Sequence, residues 1–370
     1  MITCEDYCVA DPDALETPAM VVFQDVMDQN IRSACELVGG GGNLIAHVKT
    51  HKSEAVARRQ IEGGIYGFKC ATLKELEMVL TAGARTAILS YPQVQEIKIE
   101  RLCDLASSYP DVWIASIVSS PFHLNMLATV ATRREQSLRV MLDLDAGMHR
   151  TGIGFGADAT RLYREIDAHP YLQPSGFHLY DGHDNYTDVI QREAEAQRHI
   201  ESLQEFRRQT EAAGLPVPCV VAGGSWSFPY YARTEGMFGS PGTFIYWDAG
   251  NSRDMPDMPF RCAALALTQV VDRYPAVGTI TTDLGYKGVS SDLPLEERAF
   301  LLGHDTAELV AQSEEHGVFR FSGELPSVGQ YLLAVPSHIC PTTIRYPGSH
   351  VIDSTGEVID YYVHTARDRL

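Results

Sequence analysis

From about Thr17 to Asp248, short apolar runs alternate with amphipathic helical patterns. The runs predict strands at Ala19–Phe23, Leu44–Val48, Gly67–Cys70, Ala87–Tyr91, Ile114–Val118, Arg139–Leu144, Gly176–Leu179, Val217–Ala222 and Thr243–Tyr246. Stretches between them, such as Val26–Val38, Leu73–Ala82 and Val189–Ala213, predict helices. Repeated strand–helix alternation means parallel strands joined by right-handed crossovers. About eight such units fit a (β/α)8 TIM-type barrel, an α/β fold whose chemistry gathers at the carboxyl ends of the strands.

Beyond Asp248 the pattern changes. Asn251–Pro259 reads as a polar link, followed by strand-like runs at Cys262–Asp272, Val277–Asp283, Gly317–Phe321, Tyr331–Val335 and Glu357–Val363 with almost no helical patterning. This predicts a C-terminal, mostly antiparallel β-domain. The expected division is residues 17–250 for the barrel and 251–370, together with 1–16, for the β-domain.

Composition narrows the function. Hydrophobic residues make up 45% and charged residues 21%, as in a soluble globular protein. A net charge of −18 excludes nucleic acid and anionic membrane as partners, because phosphate binding needs a basic surface. Any anionic ligand must therefore be held by a local pocket. The start of the chain, Met1–Asp13, is acidic and lacks the basic start and apolar core of a signal peptide. The eight scattered cysteines read as reduced thiols, which places the protein in the cytoplasm. Gly39–Gly42 is not followed by Lys-Ser or Lys-Thr, so it reads as a helix-to-strand connection and not as a phosphate loop.

Five motifs carry candidate chemistry. His47-Val48-Lys49-Thr50-His51-Lys52 follows a predicted strand; it is either a basic loop or a strand-end lysine whose neutral amine attacks a carbonyl. Gly223-Gly224-Ser225-Trp226-Ser227 follows a late barrel strand and offers unhindered amides and hydroxyls to a phosphate. Asp143 and Asp145 alternate at a strand end, with Arg150 either as their ion-pair partner or as a contact to a ligand. Tyr180-Asp181-Gly182-His183 suggests a ring-stacking and acid–base cluster, or a turn with a solvated histidine. In the β-domain, His338 and Cys340 share a face if they lie on a strand, and imidazole with thiolate suits zinc.

Taken together, these motifs resemble the D-threonine aldolase and D-serine dehydratase family, alanine-racemase-like enzymes that use pyridoxal phosphate. The resemblance runs from Thr17-Pro18 to the carboxyl end and includes Ser313–Gly317 as a further element. It departs at Ile45-Ala46, where the family carries Arg-Pro, and at Trp226, where it carries threonine. The resemblance implies that Lys49 binds the cofactor covalently. Gly223, Gly224, Ser225 and Ser227 would hold its phosphate, with Tyr180, Arg150 and Tyr246 completing the cofactor set. It further implies a divalent metal at His338 and Cys340, zinc before manganese or magnesium; His51 and His183 stand beside Lys49 as the catalytic candidates. The expected substrate is a D-β-hydroxy-α-amino acid. Retro-aldol cleavage to glycine and an aldehyde stands first; dehydration of D-serine or D-3-hydroxyaspartate is the alternative. A racemase, with His51 or a residue of another subunit as second base, and a non-catalytic vitamin-B6 carrier are the other readings. By analogy the protein is expected to be a homodimer.

Overall fold

A computed structural model describes residues 7–369. Met1–Asp6, assigned from sequence to the β-domain, and Leu370 lie outside the described residues. The chain divides into two compact units. One takes in the chain through Ala34, then Thr50–Val56 and Thr243–Arg367; the other takes in Cys35–Lys49 and Ala57–Gly242.

Strand β1 (Ala19–Phe23) and helix α1 (Gln24–Leu37) come first. The barrel strands follow as β2 (Ile45–His47), β3 (Gly67–Cys70), β4 (Thr86–Leu89), β5 (Trp113–Val118), β6 (Leu138–Leu144), β7 (Leu172–Leu179), β8 (Val220–Ala222) and β9 (Phe238–Gly239). They pair in sequential order, all parallel, and a parallel bridge between Leu44 and Gly239 joins the two ends of the sheet. Such strands are covered on both faces, so they read as continuous apolar runs instead of alternating ones. Helices α2 (Glu54–Glu62), α3 (Leu73–Thr81), α4 (Glu96–Ser108), α5 (Pro121–Arg134), α6 (Ala157–Ala168) and α7 (Val189–Ala212) make the crossovers, and a short α8 (Phe228–Ala232) joins β8 to β9. Their starts are written in the sequence: Thr72, Ser120 and Asp188 each accept a backbone N–H of the first turn, which satisfies donors that no helical carbonyl can reach. Ile45, Ile88, Ala115, Ile117, Met141 and Val221 form one buried cluster drawn from five of the barrel strands.

Glycine is required where β7 meets the chain entering β8. Gly176 has φ +103°, and a methyl group there would lie 1.7 Å from the Cys219 carbonyl oxygen.

After α9 (Ala249–Asp254) come β10 (Ala264–Tyr274), β11 (Thr279–Thr282), β12 (Ala299–Leu301), β13 (Glu308–Gln312), β14 (Gly317–Arg320), β15 (Tyr331–Pro336), α10 (Ile339–Thr343), β16 (Gly348–Ile352) and β17 (Val358–Val363). They build a second, mostly antiparallel sheet in the order β13-β14-β11-β10-β1-β16-β17, with β15 also on β10 and β12 on β15. Val270, Ile280, Leu309, Phe319 and Leu332 pack in its core. Residues 7–16 run along this unit, with Tyr7 Oη donating to the Cys262 carbonyl and Ala10 N to Gly356 O.

Three expectations change. Ala19–Phe23, read as the first barrel strand, lies inside the second sheet, antiparallel to β10 and parallel to β16. A five-residue apolar run fits a core strand of either sheet, and pairing with strands more than 200 positions away decides between them. Thr243–Tyr246 is a 3-10 turn (Thr243–Ile245) instead of a strand. Asn251–Pro259 begins inside α9, whose N-cap is Asp248. The described cysteines are all free thiols. No helix among the described residues is long and apolar enough to cross a membrane.

Candidate functional site

In the barrel unit, candidate groups stand at the carboxyl ends of successive strands. Lys49 lies two residues past β2, half-buried, with its N–H on His47 Nδ1 at 3.3 Å. Tyr180 follows β7 directly, and three basic side chains converge on its ring: Arg150 Cζ at 4.6 Å, Lys69 Nζ at 5.6 Å and Lys49 Nζ at 5.8 Å from the centroid. The ring is hemmed in by glycines. A methyl at Gly182 would lie 2.2 Å from its Oη, and one at Gly224 2.9 Å from its Cε2. Gly223, at φ +83°, leaves no room for a side chain beside Tyr231 and Ser227. The Gly223-Gly224 turn therefore presents bare backbone at the mouth of β8.

Asp181 fixes that turn. It is fully buried, and it accepts Ser227 Oγ–H and Tyr231 Oη–H, each at 2.9 Å. Burial raises its pKa, and the two hydroxyls oppose the rise. Ser227 Oγ also accepts the Gly224 N–H at 3.3 Å, so this hydroxyl, expected on a phosphate, is occupied in bracing the loop. Trp226, where the sequence departs from the family pattern, lies against the buried Arg192 guanidinium at 5.9 Å.

The two acidic residues at the end of β6 take separate partners, and neither is Arg150. Asp145 accepts the Gly147 and His149 N–H groups, both at 3.0 Å, and the His149 ring. Asp143 stands opposite His178 in the β6–β7 register and bonds its Nδ1 at 2.7 Å. Burial holds the His178 pKa down although Asp143 pulls it up. His178 Nε2 and Asp143 Oδ2 are buried with no partner among the described residues. Polar atoms left this way cost free energy unless a polar ligand or water meets them. A planar, anionic cofactor fits this set of groups: an amine at Lys49, a cation at Arg150, and a side-chain-free turn at Gly223-Gly224.

His183 is exposed, with Nε2 3.7 Å from Asp184 Oδ1, and a methyl at Gly147 would lie 3.3 Å from it. Asp184 in turn accepts His199 Nε2 at 2.7 Å.

His51 and Tyr246 belong to the other unit, where His51 is fully buried. Its Nδ1 accepts Ser53 N–H at 3.1 Å, and its ring meets that of Tyr246 edge-on at 6.4 Å. Tyr246 is buried too, and its hydroxyl has no partner among the described residues.

His338 and Cys340 also lie in that unit, on a helical turn and not on a strand: His338 is the N-cap of α10 and Cys340 its second residue. The shared-face argument fails, yet the side chains still meet and hydrogen-bond. His338 Nδ1 bonds Asp292 Oδ2 at 2.6 Å. Burial lowers the His338 pKa, but Cys340 and Asp292 outweigh it and hold it up at about 9. A carboxylate on one imidazole nitrogen is what orients a metal-binding histidine, leaving Nε2 and the sulfur for an ion. Cys340 Sγ lies 3.1 Å from Oγ1 of Thr50, the residue that follows Lys49 in the chain. Asp248, buried and pushed by that burial up to about 6, accepts Ile339 N–H at 3.1 Å and so pins the turn. This donor set fits a divalent ion of borderline softness.

Sequence reading missed Lys69, His178, Asp292 and Asp248. Lys69 and His178 left a signal, a lone polar residue inside an apolar strand run; Asp292, 46 positions from His338, left none. Ser313–Gly317 forms the turn between β13 and β14, where Ser313 N donates to His316 O.

This fold and these positions define the class. The chain belongs to the family "Alanine racemase, N-terminal domain", which it matches over residues 23–249, and residues 263–352 match the "Putative serine dehydratase domain". It is similar to the D-threo-3-hydroxyaspartate dehydratase of Delftia sp. (strain HT23), 25% identical with 93% of this chain and 96% of that protein covered. It is also similar to the D-threonine aldolase of Arthrobacter sp, 24% identical with 96% and 94% covered. The crystal structure of D-threonine aldolase from Filomicrobium marinum superposes with a TM-score of 0.87 at 25% identity, covering 95% of this chain and 96% of that one.

Proposed function

We propose that the protein is a pyridoxal-phosphate- and divalent-metal-dependent lyase for D-β-hydroxy-α-amino acids, cleaving them to glycine and an aldehyde. The observation that carries this is the convergence of Lys49 and Arg150 on Tyr180 beside the Gly223-Gly224 turn. Pyridoxal phosphate, when bound, supplies an electron sink for charge developing at Cα, and the ion a Lewis acid for a hydroxyl.

The chain's own groups divide the remaining work. Lys49 Nζ is the covalent anchor. Gly223 and Gly224 leave side-chain-free room for the phosphate beside Ser225, their own N–H groups being taken by the Leu179 carbonyl and Ser227 Oγ, while Ser227 holds the turn in shape. Arg150 and Tyr180 set the plane of the ring. His338 Nε2 and Cys340 Sγ hold the ion, zinc on this donor chemistry ahead of manganese or magnesium, and Asp292 keeps the imidazole in the required tautomer. His183 Nε2, exposed and beside Gly147, takes the hydroxyl proton. The burial of His51 and its bond from Ser53 count against its acting as an open second base, and so against a racemase. A homodimer in the cytoplasm completes the reading.

Dehydration is the second reading, favoured by the thiolate ligand Cys340. The test is to incubate the protein with pyridoxal phosphate and zinc or manganese, supply D-threonine and D-serine, and assay all products. Glycine with acetaldehyde establishes the aldolase; keto acid with ammonia establishes the dehydratase. A Cys340→Ala variant is expected to lose at least 100-fold in either activity, on the order of 3 kcal/mol of transition-state stabilisation. Loss of neither activity in that variant removes the metal from the reading.

A further inference from the structure

Lys69 is absent from the reaction as drawn above, yet it is the most unusual side chain of the barrel. It sits on β3, directly opposite His47 of β2, and is only 3% exposed. No carboxylate forms a salt bridge with it among the described residues, and its Nζ points at the Tyr180 ring on which Lys49 and Arg150 converge. The charged groups that reach it are Lys49 beyond β2, Asp143 on β6, Arg150 in the loop after β6, His178 on β7 and Asp181 beyond β7. A lysine whose only purpose is packing does not stay in such a place, since burying an unpaired ammonium costs more than any contact its stem gains.

We propose that Lys69 is the proton acceptor for the incoming amino group, a second working amine beside the covalent Lys49. The proposal rests on the cofactor reading for Lys49. An amino acid arrives as R–NH3+, which has no lone pair and cannot act as a nucleophile. Lys69 Nζ removes the obstacle by proton exchange: R–NH3+ and Lys69–NH2 give R–NH2 and Lys69–NH3+, and the reverse transfer accompanies release. No bond other than N–H changes and no oxidant is needed. The transfer requires an amine that is largely neutral near physiological pH. Burial first, and the neighbouring Lys49 second, lower the Lys69 pKa to about 7, against the pull of Asp181 and Asp143.

The test uses the cofactor-loaded protein. Stopped-flow absorbance follows the change in the bound cofactor's visible band on mixing with D-serine between pH 5.5 and 9. In the wild type the rate is expected to rise about tenfold per pH unit up to a midpoint near 7 and then level off. Lys69→Met, and Lys69→Arg with its permanent charge, are expected to lose that midpoint and to react at least tenfold more slowly at pH 7.5. An unchanged midpoint and rate in Lys69→Met overturns the proposal. Borohydride reduction followed by peptide mapping checks the reading beneath it: the label belongs on Lys49, and a label on Lys69 exchanges the roles and overturns the assignment.

If neither lysine is labelled, the cofactor reading has failed and the proposal falls with it; denaturant unfolding of the cofactor-free protein tests the Lys69 amine independently of the cofactor. The group titrates near 7 folded and near 10.5 unfolded, so the unfolded chain holds the extra proton between those values. Wild-type stability is therefore expected to rise with pH across that window. Lys69→Met should be the more stable protein at pH 7, with the advantage closing towards pH 10.5. A pH-independent difference shows that the amine does not titrate there and overturns the proposal.

Discussion

Asp143 and His178 meet across two neighbouring strands, and their bond at 2.7 Å fixes the tautomer of a buried imidazole. With the Nδ1 proton committed to the carboxylate, Nε2 is left as a buried acceptor with no partner among the described residues. Asp143→Ala removes the partner and leaves a buried ring nitrogen unmet. The expected cost is about 1–3 kcal/mol of unfolding free energy, measured by urea denaturation of the cofactor-free protein. Asp143→Asn keeps the shape and an acceptor for Nδ1–H, so it is expected to recover most of that loss. At this scale much of the candidate site was legible. Lys49, Arg150, Tyr180, His338 and Cys340 announce themselves by residue type and motif. Lys69 and His178 escaped because each is one polar position in an apolar run, and only the packing around it shows that it is buried without an ion pair or beside Asp143.

At the scale of elements, turns decide whether the groups can work. Gly223 combines positive φ with a methyl-sized space already filled by Tyr231 and Ser227. Gly223→Ala must push the turn away from Tyr231 and Ser227. Affinity for pyridoxal phosphate, measured by titrating the bound cofactor's absorbance, is expected to fall at least tenfold, about 1.4 kcal/mol. The fold itself should survive, because the change falls past the end of β8. The turn that carries His338 and Cys340 shows how an element can be misread while its side chains still meet. His-x-Cys on a strand would share a face by its period of two. On the first turn of α10 the same residues meet because Asp248 accepts the Ile339 N–H and because Asp292 holds His338.

At the scale of the molecule, the two units carry separate candidate chemistries, an amine-and-phosphate pocket in one and a metal centre in the other. This separation predicts independent loss. Prolonged chelation is expected to abolish lyase activity while leaving the visible absorbance of the bound cofactor and the far-ultraviolet circular dichroism unchanged, and added zinc should restore turnover. Loss of the absorbance on chelation would mean that the ion holds the barrel unit's ligand as well.

The pattern of apolar runs by itself determined the succession of parallel strands and helices, because strands covered on both faces must be apolar throughout, and it determined the change to antiparallel strands after Asp248. It also determined which residue types stand at the strand ends. Only the tertiary structure decided that Ala19–Phe23 joins the second sheet, that Thr50–Val56 belongs to a different unit from Lys49, and that Asp292 reaches His338. The physical reason is range. Periodicity and capping act over a few residues, whereas strand partners, buried ion pairs and the burial that lowers the Lys69 pKa depend on segments brought together only when the chain has folded.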